Sequence, residues 1–337
     1  MKHTLNTMIL AAAVAAASVL SARASTITMA MVTVGDPGNA ADTTGYGAVG
    51  YTYQIGKYDV TTAQYTAFLN AVATTSDPYG LYYPSMASVG ALIYGCGITQ
   101  SGSAGSYTYT VATAYQNFPV NFITWGDAAR FSNWLQNGQP SGSEGNGTTE
   151  TGAYTLSGGT SNAALMAVAR NATATYFIPT ENEWYKAAYY NGGSTNVGYW
   201  TYPTKSNTAP GNTLPDTGNN ANYYNNGHTD PTNILTPVGA FSSSPGPYGT
   251  YDQGGNVFQW NEANAGGSSR GLRGGSFAGT SGGRASPNPN GTAPTYEGGY
   301  FIGFRVASSV ASPEPGGIAM LLAGALAFGI WRLRRND

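Results

Sequence analysis

The sequence predicts a mixed fold in which a few short helices and strands are joined by long loops. Three observations lead to this prediction. Glycine occurs 47 times in 337 residues and Asn, Ser and Thr are frequent, a composition typical of a turn-rich chain. Three segments begin with a helix N-cap pattern. Two further segments, 107–111 and 255–260, alternate apolar with polar or small residues, as half-buried strands do.

The elements follow in order along the chain. Residues 53–60 have the character of a strand that leads into a helix, and further strands are expected at 107–111 and 154–156. Each predicted helix starts at a threonine followed three residues later by a side chain that can reach back to it. These capping pairs are Thr61 with Gln64, Thr124 with Asp127, and Thr180 with Glu183.

The N-terminal end has the composition of a secretory signal. An apolar run at 8–20 follows two basic residues, and Ala22-Arg23-Ala24 gives a small-x-small cleavage pattern. We therefore expect residues 1–24 to be a signal that is removed on export. The run is short for a membrane span, and an uncleaved anchor is the alternative. Residues 25–52 are interpreted as a lead-in of small residues.

The C-terminal end carries Pro-Glu-Pro at 313–315, an apolar run at 318–331 and three arginines after it. This order resembles the PEP-CTERM sorting tail. The resemblance implies that residues 309–337 hold the protein in the membrane transiently through a short transmembrane helix. A protease-like sorting enzyme would then remove the tail and pass the protein to the cell surface. The basic end would stay cytoplasmic under the positive-inside rule, and a simple tail anchor is the alternative.

Charge and cysteine content limit the possible functions. The net charge is -2 and only 9% of residues are charged, which removes the electrostatic case for nucleic-acid binding. Cys96 is the only cysteine of the chain, so no intramolecular disulfide can form. Bound cations would be another way to stabilise the loops, because a ligand that binds only the native state shifts folding towards it.

The stretch YDQGGNVFQW at 251–260 is a candidate cation site. Its two glycines permit positive φ and inward-turned carbonyls. In an extended chain Gly255, Val257 and Gln259 share one side. Together with the Asp252 carboxylate they offer the oxygen ligands that calcium accepts. The alternative is that Asp252 only caps a turn and Trp260 only packs.

Several motifs resemble the formylglycine-generating enzyme (sulfatase-modifying factor) family. They are Gly-Asn-x-x-x-Trp at 255–260, RGGSF at 273–277, GFRV at 303–306, VTTAQYTAF at 60–68, Pro-Val at 119–120 and PTENEW at 179–184. They stand in family order across residues 54–307. The resemblance implies one irregular, loop-rich α+β domain of C-type-lectin-like architecture over residues 53–308.

The same resemblance implies two calcium sites. The first maps to Asn222, Tyr223, Asp230 and Thr232, and the second to Asp252, Gly255, Val257 and Gln259. The family commonly has Glu where this chain has Gln259. Losing that carboxylate lowers the ligand charge and should weaken calcium binding.

The redox ligands of the family are missing. Its oxidases bind copper through two cysteines shortly after Gly-Gly-Ser, but residues 277–286 contain none. A related branch uses iron held by two or three histidines, and this chain has only His3, inside the predicted signal, and His228. We therefore expect neither copper nor iron. His228 as a general base in hydrolysis is a third hypothesis, but no nucleophile-elbow sequence lies nearby, and a solvated loop histidine is the simpler expectation.

Two pairs of charged side chains have open roles. Arg273 and Arg305 lie in the family motifs and either tie loop carbonyls and carboxylates together or bind a substrate. Glu181 and Glu183 could form a catalytic pair, but acids are favoured in a first helical turn in any case.

The hypothesis that follows is an exported, surface-sorted, non-catalytic protein stabilised by calcium. It would bind a protein ligand or a glycan of the cell surface or exopolysaccharide matrix. The alternative is an oxidoreductase of the formylglycine-generating or non-haem-iron type with atypical metal ligands.

Overall fold

The computed structural model of the protein describes residues 26–90, 94–192, 198–285, 290–297 and 299–309. The predicted signal at 1–24 lies outside this part of the chain, as does the predicted tail except for residue 309. Within the described ranges no helix is long and apolar enough to span a membrane. The apolar run at 318–331 is not among them.

Three helices begin where the capping pairs predict. They are α1 (Thr62–Val72), α2 (Trp125–Gln136) and α4 (Glu181–Tyr189), and each has both hydrogen bonds of the capping box. The fourth described helix, α3 (Asn162–Ala167), is capped by Ser161 and was not predicted. It buries only Leu165, so it lacks the apolar periodicity by which a longer helix is recognised.

The strands of the described chain are short. They are β1 (Met31–Val34), β2 (Tyr53–Gly56), β3 (Ile98–Ser101), β4 (Thr108–Val111), β5 (Tyr176–Phe177), β6 (Tyr190–Asn191), β7 (Gly198–Tyr199), β8 (Phe258–Asn264), β9 (Arg270–Arg273), β10 (Asn290–Thr292), β11 (Ile302–Gly303) and β12 (Ala307–Ser308). One four-stranded antiparallel sheet has the order β1-β2-β12-β5, and another has the order β10-β9-β8-β11, in which β11 runs parallel to β8. Two hairpins, β3-β4 and β6-β7, complete the sheet structure. The predicted strand at 154–156 is wrong, because Tyr154 makes only an isolated bridge to Arg170.

The described part of the expected lead-in, residues 26–52, belongs to the domain and is not merely a lead-in. Strand β1 pairs with β2 in the register Val32 to Ile55. The loop that follows is also tied to the body of the protein, because Asn39 donates to the Tyr199 hydroxyl at 2.7 Å. The four residues of β1 show no regular alternation of apolar and polar side chains, so the strand depends on its pairing partner and could not be predicted from its own sequence.

The centre of the core is a group of aromatic rings between α1, α2 and the GFRV segment. Phe131 of α2 lies edge-on to Phe68 of α1 and to Phe304, with ring centroids 5.4 and 5.3 Å apart. Trp134 lies 5.3 Å from Phe68. Edge-to-face contacts of this kind add to the stabilisation from apolar burial. Helices and sheets therefore share one core, and the α+β expectation is confirmed.

Candidate functional site

Arg305 is buried in the core and holds the predicted site region together. Its Nε donates to Gln259 Oε1 at 2.7 Å and its Nη1 to the Gly56 carbonyl at 2.8 Å. Its Nη2 donates to Asp59 Oδ1 at 2.9 Å and to the Tyr251 carbonyl at 2.7 Å. The side chain is fully buried, so the binding role considered for it is not supported. The planar guanidinium instead joins residues 56–59 and residues 251–259 to the GFRV motif.

Arg273 has an equally internal position. Its Nε pairs with Glu181 Oε1 at 2.5 Å, and its guanidinium lies over the rings of Tyr46 and Tyr185, 4.9 and 5.1 Å from their centroids. Cation–π contacts of this type gain strength when they are desolvated. The residue is 1% exposed, which opposes a direct role in partner binding and favours the structural one.

Glu181 and Glu183 serve different ion pairs and do not form a catalytic pair. Glu181 binds Arg273 and also accepts from Asn261 at 2.6 Å. Glu183 binds Arg170, whose Nη2 lies 2.8 Å from its Oε2. Burial alone would raise the pKa of Glu183, but the hydrogen bonds and charge of Arg170 hold that pKa below its usual value. Glu183 is therefore suited to remain ionised within its pair.

Gln259, the last residue of the predicted second calcium set, is committed to protein hydrogen bonds. Its Oε1 accepts from Trp184 Nε1 and from Arg305 Nε, both at 2.7 Å. Its Nε2 donates to the Asp252 carbonyl at 2.7 Å. An amide oxygen has two lone pairs, and both are used here. The side chain of Gln259 is therefore poorly suited to ligate a cation in this arrangement.

The other members of the second set lie in a turn in which Gly255 and Val257 are buried and Asp252 is half-buried. Asp252 has φ of 59° and Gly255 has φ of 91°. Asp252 Oδ2 accepts from the Gly239 amide at 2.6 Å, and burial raises the pKa of this carboxyl to about 6. Val257 is also buried. The oxygens that could serve a cation in this set are the Asp252 carboxylate and the backbone carbonyls of Gly255 and Val257.

Asn222, in the predicted first calcium set, fits a cation ligand better. Its Nδ2 donates to the Ile234 carbonyl at 2.8 Å and to Asn256 Oδ1 at 3.0 Å, which fixes the orientation of the amide. Its Oδ1 is buried and has no hydrogen-bond partner within the described ranges. Buried polar atoms are nearly always satisfied, so this oxygen suggests a missing partner such as a cation.

The remaining members of the first set form the turn around Asp230. Asp230 Oδ1 accepts from the amides of Thr232 and Asn233 at 2.8 and 3.0 Å. Burial opposes ionisation, but these hydrogen bonds and that from the Asn233 side chain lower the pKa of Asp230. The Tyr223 carbonyl accepts from Asn212 Nδ2 at 3.1 Å. Among the residues of described placement, no three His, Cys, Asp or Glu side chains come together as a metal site. A cation here would therefore depend on amide and carbonyl oxygens, which calcium accepts.

Phe277 begins the segment in which the family's oxidases hold their copper cysteines. Its ring packs against Tyr94 and Tyr300, with centroids 5.4 and 6.1 Å away, and lies 6.3 Å from the imidazole of His228. His228 also lies 5.1 Å from the Tyr224 ring, and its Nδ1 is buried without a hydrogen-bond partner in the described chain. His228 is therefore partly buried among aromatic rings and is not the solvated residue expected.

Three surface clefts could not be predicted from the sequence. Clefts of about 290 and 330 Å³ both reach Asn290, and the larger one is lined by apolar residues such as Phe258 and Phe301. A third cleft of about 270 Å³ lies between Asp36 and Trp200. Each is assembled from segments far apart in the chain, which is why no local motif predicted it.

Comparison with known proteins identifies the family. The family model described as "Sulfatase-modifying factor enzyme 1-like domain" matches residues 28–310. Among solved structures, the crystal structure of CarF is 19% identical, with 84% of this chain and 99% of that chain covered and a TM-score of 0.51. Treponema denticola variable protein 1 is 17% identical (83% and 95% covered, TM-score 0.47), and PvdO from Pseudomonas aeruginosa is 18% identical (84% and 92% covered, TM-score 0.43). No curated protein sequence matches.

The family match and the likeness to CarF agree with the predicted fold, because the family's structures have the C-type-lectin-like fold. The identity to CarF is low enough that this likeness concerns the fold alone. The family match covers residues 28–310 of 337. The chain therefore belongs to the family of proteins with a sulfatase-modifying factor enzyme 1-like domain.

Proposed function

We propose that this protein is a non-catalytic member of its family, which uses the stabilised framework to bind a partner. One observation carries the proposal. The motif arginines Arg273 and Arg305 are present and buried, where they pair with Glu181 and Asp59, whereas the segment 277–286 contains no cysteine. The framework is thus retained without the thiols that would bind copper.

Cys96 does not replace the missing pair. It is buried, and burial raises the pKa of its thiol to about 11. The thiolate is the form that binds metals and attacks electrophiles, so this thiol is unreactive near neutral pH. A single buried thiol also cannot provide two thiolate ligands within one chain.

Calcium is the cation that we propose for the loops. The orphaned Asn222 oxygen supports this assignment, as does the carboxylate of Asp230, which hydrogen bonds hold in its ionised form. A cation that binds only the folded protein would stabilise it by about 2.7 kcal/mol at a concentration one hundred times its Kd. Such a contribution would suit a loop-rich chain that can form no disulfide within itself.

The proposal includes export and surface sorting. The signal-like residues 1–24 and the sorting-like residues 309–337 support a route through the membrane, with the mature protein released to the cell surface or matrix. On this route the partners would be surface proteins or matrix polysaccharides. Mass spectrometry of protein recovered from the cell surface tests the route, because the mature chain should lack both ends.

The non-catalytic assignment is tested with the purified chain, copper(I), oxygen and a cysteine-containing sulfatase peptide. We expect the cysteine of the peptide to remain unchanged, as shown by peptide mass spectrometry. A family oxidase that has both cysteines serves as the positive control. Conversion of the peptide cysteine to formylglycine by this chain would overturn the proposal.

The alternative of an oxidoreductase with atypical ligands has one observation in its favour, the unpartnered Nδ1 of His228 beside Phe277. Elemental analysis separates the two assignments. Stoichiometric copper or iron that is lost in His228→Ala would support the oxidoreductase. Calcium as the bound metal, retained in His228→Ala, supports the binding protein.

A further inference from the structure

The cleft of about 270 Å³ is formed by three regions that are distant in sequence: residue 36, residues 190–192 with 200 and 205, and residues 247–248. Asp36 comes from the loop after β1, Tyr190 from β6 and Trp200 from the residue after β7, while Lys205 and Tyr248 come from later loops. We propose that this cleft binds one saccharide unit of a glycan. The inference rests on the proposed function and names the class of ligand that the protein would recognise.

Aromatic side chains provide the apolar part of the cleft. Trp200 and Tyr248 line it and are partly exposed, whereas Tyr190 is 2% exposed and forms the floor beneath them. Tyr190 is supported from behind by Tyr199, edge-on at 5.2 Å, and the Trp200 amide donates to the Tyr189 carbonyl at 2.7 Å. The first contact fixes the Tyr190 ring, and the second fixes the backbone from which the Trp200 side chain extends. One face of a pyranose ring presents C–H groups, which pack well against aromatic side chains that combine an apolar body with a polar tip.

Polar groups are placed beside these rings. The Asp36 carboxylate accepts from the Tyr248 hydroxyl at 2.9 Å, and its backbone carbonyl accepts from Lys186 Nζ at 2.8 Å. Asp36 is thus held from two sides. Lys205 adds an ammonium donor and Asn191 adds an amide with both a donor and an acceptor. A few oriented polar groups among apolar walls are what a small-molecule site requires, and sugar hydroxyls can both donate and accept.

Gly192 keeps the cleft open. A Cβ at this position would lie 2.6 Å from Tyr190 Cε1 and 3.0 Å from Asp36 Oδ2. Any side chain there would push against the aromatic wall and the carboxylate together. Gly192→Ala is therefore a way to narrow the cleft without removing any of its functional groups.

The size of the cleft favours a saccharide unit over a peptide. Its volume of about 270 Å³ lies just below the usual range for small-ligand sites, about 300–1,000 Å³. The neighbouring strands β6 and β7 are two residues long, so an extended peptide would find little strand edge for pairing. A single ring with several hydroxyls matches both the volume and the mixture of lining groups.

The test uses the purified full chain and a panel of methyl glycosides of glucose, galactose, mannose, N-acetylglucosamine and glucuronic acid, with their short oligosaccharides. Calorimetry and saturation-transfer NMR measure binding, and circular dichroism checks that each variant is folded. We expect at least one sugar to bind. Trp200→Ala and Asp36→Asn should each raise the Kd for that sugar about tenfold or more, which is the order of magnitude expected when a hot-spot contact is lost. Gly192→Ala should raise this Kd as well, and Tyr248→Phe should raise it less than Trp200→Ala does.

Tyr296→Ala is the matched control, because Tyr296 is 40% exposed and lines a different cleft. It should leave the affinity within about twofold, since surface changes remote from a site have small effects. Sugar binding that survives Trp200→Ala, Asp36→Asn and Gly192→Ala would overturn the cleft assignment while leaving a glycan-binding function intact. Failure of every sugar to bind would overturn the saccharide inference, and so would a short peptide that binds and is lost in Trp200→Ala. The proposed function is tested separately. Formylglycine formation in the peptide assay described above would overturn it, whatever the result for sugar binding.

Discussion

Asp59 and Arg305 form an ion pair in which both side chains are completely buried, with Asp59 Oδ1 2.9 Å from Arg305 Nη2. The pair joins residues 246 positions apart, one just before α1 and one in the GFRV motif. Burial raises the pKa of Asp59 and lowers that of Arg305, and each charge partly opposes the shift of the other. The framework of this chain is therefore closed around a buried ion pair in which each residue depends on the charge of the other.

Replacement of Arg305 should be severely destabilising. Arg305→Met leaves Asp59 without its partner, and breaking a buried pair from one side costs about 3–5 kcal/mol. Arg305→Lys should also lower the free energy of unfolding, because one ammonium group cannot donate to all four oxygens that accept hydrogen bonds from the guanidinium. Urea denaturation followed by tryptophan fluorescence measures the change. Lys205→Met, at an exposed lysine, should stay within about 0.5 kcal/mol, and an equally small loss in Arg305→Met would refute the argument.

Gly274→Ala should destabilise the protein at the Gly-Gly-Ser turn. Gly274 has φ of 93°, and a Cβ there would lie 2.7 Å from the Gln253 carbonyl oxygen and 3.3 Å from the Trp184 ring. Overpacking of this kind costs about 1–3 kcal/mol, and the positive φ adds strain. Gly283→Ala is the control, because nothing lies within 4 Å of its added Cβ. Equal thermal stability of the two variants would show that the turn can relax.

Asp127 should make stability depend on pH. Burial raises the pKa of its carboxyl to about 7 from an unfolded value of 3.8, although hydrogen bonds from Thr124 oppose the shift. The folded state therefore holds the proton more tightly than the unfolded state. The stabilisation that the protonated Asp127 gives the folded state is complete below about pH 4 and is lost as the pH rises through about 7.

Asp127→Asn removes this titration and still offers an oxygen to the Thr124 amide. We expect the stability of the unmodified protein, relative to this variant, to fall between pH 4 and pH 8 by no more than about 1.4 kcal/mol per pH unit. Denaturation curves at several pH values measure the difference. A difference that is constant, or that grows with pH, would contradict the sign of the shift.

Calcium should raise the melting temperature through Asn222. Asn222→Ala removes the unpartnered Oδ1, and we expect it to reduce the calcium-dependent shift measured between EDTA and millimolar calcium. Asn171→Ala serves as the matched control, because Asn171 donates to the Gly152 carbonyl at 2.9 Å and belongs to neither predicted set. Asn171→Ala should at most lower the melting temperature, and it should leave the calcium-dependent shift unchanged. An unaltered response in Asn222→Ala would remove this residue from the ligands.

Gln259→Glu tests the second set separately. The substitution adds a carboxylate beside Asp252, and greater ligand charge strengthens calcium binding. We expect a larger calcium-dependent increase in melting temperature than in the unmodified protein, together with lower stability in EDTA, because the hydrogen bond to the Asp252 carbonyl is lost. Calorimetric titration with calcium measures the affinity directly. No gain in affinity would indicate that this stretch serves only as framework.

Local features of the fold could be predicted from the sequence. The capping boxes at Thr61, Thr124 and Thr180 were correct because each depends on two residues three positions apart. Strand β1 was missed because its four residues are defined by pairing with β2, about twenty positions later. The clefts gave no signal for the same reason, since their walls come from separate segments.

The sequence by itself determined the starts of helices α1, α2 and α4, the order of the family motifs and the shortage of thiol and imidazole groups, since each is a property of residue identity or close spacing. Only the tertiary structure decided that Arg273 and Arg305 are internal and that Gln259 is saturated by Trp184 and Arg305, 75 and 46 positions away. Burial and hydrogen-bond saturation are set by neighbours that chain folding brings together, and spacing along the chain does not encode them.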